Sequence, residues 1–253
     1  MSSLAFAVGT ALLAFCAGIV GLNLHVWLPE RHAPDRAREM IGAMTGLLGL
    51  LLALVLGTLV GSAFTLYSTQ KSELETLAAR TLQLDSALES YGPETRLARE
   101  GLRKAIQQSF DKVWGGPAAD LSDMSVKSVV AGSKVLDQFL LSLSPKTEAQ
   151  KQGLATASAA AGQIAQTRIL MMLQLAGGIS WPMVAIVVGW SLLLFCGYGL
   201  VSPMNATVVT SMALGAIAVA SAIFLIIELS QPYSGLFRLP PAALSETIQA
   251  LGW

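Results

Sequence analysis

Charge is what this sequence has least of. Only 13% of its 253 residues are Asp, Glu, Lys or Arg, about half the ~25% usual for a soluble domain. Together with 53% hydrophobic residues and a mean hydropathy of +0.60, this excludes a disordered chain and argues against an ordinary soluble domain. The 16 basic and 16 acidic residues cancel, so the basic excess of a nucleic-acid binder is missing. Two cysteines cannot build a disulfide scaffold, and Cys16 and Cys196 both sit in apolar runs. Histidine is reduced to His25 and His32. There is no HExxH, CxxC, Gly-rich phosphate loop or serine-nucleophile elbow. The chain therefore does not read as an enzyme, and no catalytic residue, metal or cofactor is expected. His32, Asp35 and Glu39 could share a helix face, but in so short a turn a solvated loop explains them more simply than a metal site. Alternation of the β type is also missing beyond a few residues.

Apolar runs are abundant. Four are long enough to cross a bilayer, which takes ~20 predominantly apolar residues. They run from Leu4 to Leu28, from about Ile41 to Tyr67, from about Ile169 to Val201, and from about Met204 to Leu229. In lipid each must be helical, because backbone groups find no water there. Gly177, Gly178 and Pro182 predict a bend in the third. The first lacks a basic start and a small-residue cleavage site, so it reads as a span and not as a signal peptide. The expected fold is an all-α polytopic membrane protein with four transmembrane helices and a helical soluble insert between helices two and three. Its parts are a first transmembrane pair (1–67), the insert (68–168), a second pair (169–229) and an amphipathic tail (230–253). Four spans put both termini and the insert on one side. Arg31, Arg36 and Arg38 of one turn nearly balance Lys71, Arg80, Arg168 and Arg238 on the other side. The termini are assigned to the cytoplasm.

The insert holds 12 of the 16 basic and 11 of the 16 acidic residues. Leucines mixed with charges extend the second helix until Gly92-Pro93. Leu97, Leu102, Ile106 and Phe110 mark a second helix at a 3.6-like period, broken by Gly115-Gly116-Pro117. A third is predicted from near Asp120, through Val126, Val129, Val130, Val135, Leu136 and Leu140. Ser144-Pro145 reads as an N-cap with proline at the first helical position. The last helix leads through Arg168 toward the third span. These helices are expected to be ~25 residues each, about 35 Å long.

Two stripes mark the second span at 100° per residue. Gly42, Gly46, Gly49, Gly57 and Gly61 form one, which lets another helix approach closely. Leu47, Leu51, Leu54, Thr58, Ser62, Thr65 and Thr69 form the other, apolar at first and then hydroxyl-lined. That stripe could line a wet passage with the leucines as a dewetting constriction. Equally, each hydroxyl could bond to a carbonyl one turn back. Ser211, Gly215, Ala218 and Ala222 form a further small stripe that reads as helix contact. Few polar residues enter the apolar runs. Glu228 lies near the end of the fourth, at interfacial depth, facing water or pairing with Arg238. In the tail, Pro240-Pro241 should start a helix whose Leu244, Ile248 and Leu251 share one face, with Phe237 and Trp253 as interfacial anchors.

The run Gly197-Tyr198-Gly199-Leu200-Val201-Ser202-Pro203-Met204-Asn205-Ala206-Thr207-Val208-Val209 precedes Ala222-Ile223-Phe224-Leu225-Ile226-Ile227-Glu228-Leu229 and Pro232-Tyr233-Ser234-Gly235-Leu236. These segments, with the second-span stretch from Gly42 to Leu54, resemble the bestrophin-like domain family of four-span bacterial and plant membrane proteins. The resemblance covers essentially the whole chain, and Asn205, Glu228, Pro232 and Gly235 match the family's own pattern. Its kinship with bestrophins implies a homo-oligomer, pentameric as those channels are, with cytoplasmic termini. It also implies a central path for inorganic ions lined by the second span, in a bacterial inner membrane. The aromatic-rich neck of bestrophins has no counterpart beyond Phe64 and Tyr67. No acidic calcium clasp follows the fourth span, so calcium control is not carried over. The alternative to a channel is a non-conducting membrane scaffold or signalling protein that acts through its helical insert.

Overall fold

The computed structural model describes residues 3–27, 35–116, 125–178 and 180–252. The turn at 29–34 with Arg31 and His32, the helix start expected near Asp120, Trp253, and the side chains of His25 and Asp35 lie outside the described set. The described residues form eight α-helices and no strand, which bears out the all-α class. In chain order they are α1 (Ser3–Trp27), α2 (Asp35–Tyr91), α3 (Arg96–Trp114), α4 (Val126–Ser142), α5 (Glu148–Ala176), α6 (Trp181–Val201), α7 (Ala206–Leu229) and α8 (Ala242–Ala250). Four stretches are long and apolar enough to span a membrane. They lie in α1, α2, α7, and the segment holding α5 and α6.

The chain forms two compact units. The first contains Met1–Thr65 and Ile179–Ser230, and the second contains Leu66–Gly178 and Gln231–Trp253. In the first, α1 packs on α6 and α7. Glycine makes this possible. A Cβ at Gly21 would strike the carbonyl oxygen of Cys196, and one at Gly199 would strike the carbonyl oxygen of Gly18 and come within 2.8 Å of the Leu22 nitrogen. Without a driving force from water, such close backbone approach is what dispersion requires. Leu22, Val187, Phe195, Met212 and Ile223 fill the core, and Phe6 meets Trp181 edge-on at 5.7 Å. α2 gives this core one face, with Leu48, Leu52, Val55, Leu56 and Leu59. The break between α5 and α6 falls at Gly177–Gly178, where the sequence predicts a bend, and Pro182 sits in the first turn of α6.

In the second unit, α2 runs on unbroken to Tyr91 because nothing between Ser68 and Tyr91 stops a helix. Gly92 ends it at φ 134°, a conformation other residues rarely adopt. The buried Thr95 hydroxyl then closes the turn by donating to the carbonyls of Leu88 and Gly92. Arg99 of α3 forks onto Asp85 of α2 at 2.8 and 2.7 Å, with Glu89 at 3.4 Å. These carboxylates raise the Arg99 pKa, chiefly through the hydrogen bond to Asp85. Leu84, Leu88, Leu140 and the alanines 157, 160 and 161 form one core, and Leu74, Val113, Met171, Tyr233, Leu239 and Leu244 form another.

Several local expectations need correction. The cap of α5 is Thr147, not Ser144: its Oγ1 accepts from the Gln150 amide at 3.2 Å, while the Gln150 side chain reaches back to the Lys146 amide. Thr147-Glu148-Ala149-Gln150 is a capping-box pattern, and it outcompetes the Ser-Pro pair. α4 is capped by Ser125 and starts at Val126. The insert helices α3, α4 and α5 measure 19, 17 and 29 residues, so the uniform length expected for them does not hold. Leu97, placed on the apolar face of α3, is 79% exposed. It lies in the first turn, where the period continues but no neighbouring element covers it. The tail helix α8 follows Pro241, with Leu244 and Leu251 buried and Ile248 half-buried.

Candidate functional site

The membrane half of α2 has three sides. One packs on the protomer core, as described above. The second carries Leu47, Leu51 and Leu54, between 41% and 65% exposed, followed by exposed Thr58, Ser62 and Thr65. These six residues are therefore uncovered in the single protomer, while Thr69 at the end of the stripe is half-buried. The hydroxyls are not idle: Thr58 donates to the Val55 carbonyl at 2.9 Å and Thr65 to the Gly61 carbonyl at 2.9 Å. Each still keeps lone pairs directed outward, since a hydroxyl donates once and accepts twice. The third side carries Gly42, Gly46, Gly57 and Gly61, around which a Cβ would meet nothing within 4 Å among the described residues. Of that set, only Gly49 has neighbours among the described residues, Leu194 at 3.4 Å and the Tyr198 hydroxyl at 3.8 Å. Within one protomer, then, this glycine stripe does not serve as a helix-packing groove.

Beside α2 lies an apolar groove of about 550 Å³, reaching α6 and α7, with Gly49, Ala53, Tyr198, Ser211, Gly215 and Ala218 in its wall. The small stripe of α7 thus lines a groove over much of its length. At Gly215 of that stripe an added Cβ would lie 3.2 Å from the Phe195 ring. The face of α7 that is buried is instead Met212, Ala216, Ala220 and Ile223.

The four family-pattern positions have separate local tasks. Asn205 caps α7, its Oδ1 accepting from the Val208 amide at 2.8 Å. Glu228, near the end of the same helix, is 2% exposed and accepts from the Ser3 hydroxyl at the start of α1. The solvated position and the Arg238 partner expected for Glu228 give way to that buried pair. Arg238 donates to the Gly116 carbonyl at 3.2 Å, and its buried Nε and Nη2 find no hydrogen-bond partner among the described residues. The Pro232 carbonyl accepts from Leu239 at 2.7 Å, which closes a loop, and Gly235 turns that loop at φ 81°.

One polar centre escaped the sequence reading. Gln70 is fully buried. It donates to the Met171 carbonyl at 3.2 Å and to the Gln174 Oε1 at 2.7 Å, and it accepts from the Tyr233 hydroxyl at 3.1 Å. This ties α2, α5 and the tail loop together. Trp114 adds to it by donating to the Leu239 carbonyl at 3.0 Å. Burial, and then the nearby Glu73, raise the Tyr233 pKa well above its ordinary value of 10.0. The available signal was an uncharged amide on the side of the helix that also carries Leu74. Among the described residues no group of three His, Cys, Asp or Glu could hold a metal ion.

A family model described as "Bestrophin-like domain" matches residues 10–244. Two solved structures, both single-substitution variants of a bacterial bestrophin homologue from Klebsiella pneumoniae, share the fold. One is 14% identical with a TM-score of 0.60, covering 96% of this chain and 97% of that one. The other is 15% identical with a TM-score of 0.51, covering 99% and 97%. No curated protein sequence matches.

Proposed function

The chain belongs to the Bestrophin-like domain family, and from that membership we propose that it is an oligomeric ion channel whose α2 helices line the conducting path. Leu47, Leu51 and Leu54 form the dewetting constriction, and Thr58, Ser62 and Thr65 the hydrated stretch. The copies form a closed homo-oligomer, a pentamer, in a bacterial inner membrane, with the termini and the helical insert on the cytoplasmic side. Inorganic ions are the cargo, and no catalytic step is part of this reading.

One observation carries it. The membrane half of α2 leaves both its glycine side and its Leu/Thr side uncovered, while α1 packs on α6 and α7. Lipid satisfies an all-leucine surface, but a row of hydroxyls continuous with it gains from water. A glycine stripe next to that row gains from a second backbone. A ring of α2 helices answers both needs, each glycine side facing a neighbour and each hydroxyl row facing the axis.

Purified protein in liposomes tests this by ion flux. Single cysteines at 54, 58, 62 and 65, in a background with Cys16 and Cys196 replaced by alanine, should react with water-soluble thiol reagents and lose flux. A cysteine at Leu50, on a different side of α2, should not. No flux from an intact oligomer would leave the scaffold reading.

A further inference from the structure

Conduction along α2 makes no use of the groove that α2, α6 and α7 form within the first unit. The wall of that groove changes character along its length. Tyr198 and Ser202 at the end of α6 and Thr207 and Ser211 at the start of α7 gather at one end. Gly215, Ala218 and Val219 continue the wall along α7. From Thr207 to Val219 the helix rises about 18 Å, which reaches the middle of a ~30 Å hydrocarbon core. The four hydroxyls at the polar end stand apart in their bonding. Elsewhere on these helices Ser191 donates to the Val187 carbonyl at 2.7 Å, Thr210 to Ala206 at 2.9 Å and Ser221 to Ala218 at 2.7 Å. The hydroxyls of Tyr198, Ser202, Thr207 and Ser211 make no hydrogen bond with any described residue. No Asp, Glu, Lys or Arg lines the groove. We propose that it binds one uncharged lipid of the diacylglycerol class, with the hydroxyl and ester end among the four hydroxyls and the hydrocarbon along Gly215, Ala218 and Val219.

Chemistry and direction both select that occupant. Unpaired hydroxyls beside an apolar wall gain from a partner that donates as well as accepts. A free glycerol hydroxyl next to two ester carbonyls does both. A phosphate headgroup would bring charge to a wall with no cation to answer it. The helix of a second copy would bring a backbone already bonded within itself, and the hydroxyls would stay unpaired. From the α6–α7 link inward the wall is polar first and apolar after, which is also the order of a lipid in its own leaflet. The volume, about 550 Å³, is that of a small-molecule site, for which ~300–1,000 Å³ is usual. Gly49, which already meets Leu194 and Tyr198, borders the groove. A neighbouring α2 over the four open glycines therefore flanks the lipid without displacing it. The proposal rests on the membrane spans and not on conduction.

The full-length protein in nanodiscs of phosphatidylcholine and phosphatidylglycerol is the sample, and a diacylglycerol with a diazirine in one acyl chain is the probe. Photolysis and peptide mass spectrometry should show saturable labelling within residues 194–219, displaced by unlabelled dioctanoylglycerol. Phosphatidic acid with the same chains, which adds only the charged phosphate, should compete at least tenfold less well. Thr207→Val combined with Ser211→Ala should weaken binding roughly tenfold or more, and Ala218→Leu, which narrows the apolar part, should abolish it. The proposal is overturned if labelling does not saturate, if phosphatidic acid competes equally, or if the Thr207→Val, Ser211→Ala protein binds as before. It is also overturned if Ala218→Cys, with Cys16 and Cys196 replaced by alanine, forms a disulfide with a second copy that added diacylglycerol does not reduce in yield. Should Ala218→Leu fail to fold, Ala53→Leu decides the steric point by the same readouts. None of them depends on ion flux, so an empty groove and a closed channel are told apart.

Discussion

α2 is one helix with two kinds of surroundings. From Ile41 to Thr65 it offers its own protomer a single leucine-rich face and leaves the rest open. From Leu66 to Tyr91 it is gripped by polar anchors as well as by apolar contacts. Gln70 is tied to α5 and the tail, Asp85 to Arg99, and the carbonyls of Leu88 and Gly92 to Thr95. The same backbone thus serves as core in one half and as unclaimed surface in the other. What separates the halves is polar anchoring, because the open half is the more apolar of the two. Where water is the solvent, apolar contact and hydrogen bonds jointly fix the helix. In lipid an apolar surface needs no cover, so an uncovered stripe carries information only where it is hydroxyl or glycine.

The contrast breaks most sharply at Asp85. Asp85→Ala removes the carboxylate under a guanidinium whose side chain is only 20% exposed. A cost of about 2 kcal/mol is expected, below the ~3–5 for a fully buried pair because Arg99 keeps some water. It should appear as a lower thermal midpoint with flux per folded protein unchanged. Gln70→Leu is expected to cost about 1–2 kcal/mol, because it leaves the buried Tyr233 hydroxyl without an acceptor. Limited proteolysis should then cut the tail first.

The alkaline limb sharpens the comparison by pH. Tyr233 holds its proton more tightly folded than unfolded. Its contribution is therefore constant below pH 10 and shrinks as pH rises above the ordinary tyrosine value toward the raised one. Tyr233→Phe should flatten that part of the stability–pH curve, and tyrosinate absorbance of the native protein should show one late-titrating tyrosine. The smallest effects on stability belong to the open half. Thr58→Val and Gly57→Leu should change protomer stability by less than about 0.5 kcal/mol. Thr58→Val should nevertheless alter flux, and Gly57→Leu should loosen the oligomer on native gels. A large loss of protomer stability from either would mean that this surface is core after all.

The sequence exposed the outline of the fold more readily than its anchors. Apolar length identifies the spans, and Gly92-Pro93 and Gly177-Gly178 mark two real breaks, because helix and bilayer physics act within a short window. What lay beyond reach depends on distant partners. Leu97 keeps the period of its helix yet meets no neighbour. Glu228 is paired with Ser3, 225 positions away. Gln70 is buried because Tyr233 returns to it, 163 positions on. The Thr147 cap was legible and was masked by a more obvious Ser-Pro pair. The Leu/Thr side of α2 was readable as a side, since periodicity fixes which residues share an azimuth. What faces that azimuth is decided by other chains or by solvent.

The backbone contact between Gly199 and the Gly18–Leu22 turn joins segments made far apart in time. A ribosome adding roughly 5–20 residues per second needs on the order of ten to thirty-five seconds to travel from Gly21 to Gly199. Throughout that interval the first helix must wait in the bilayer with its notch vacant. Any other glycine-faced helix drifting past could dock there prematurely, so the fidelity of biogenesis rests on how tightly one late-arriving partner fits an early-made groove.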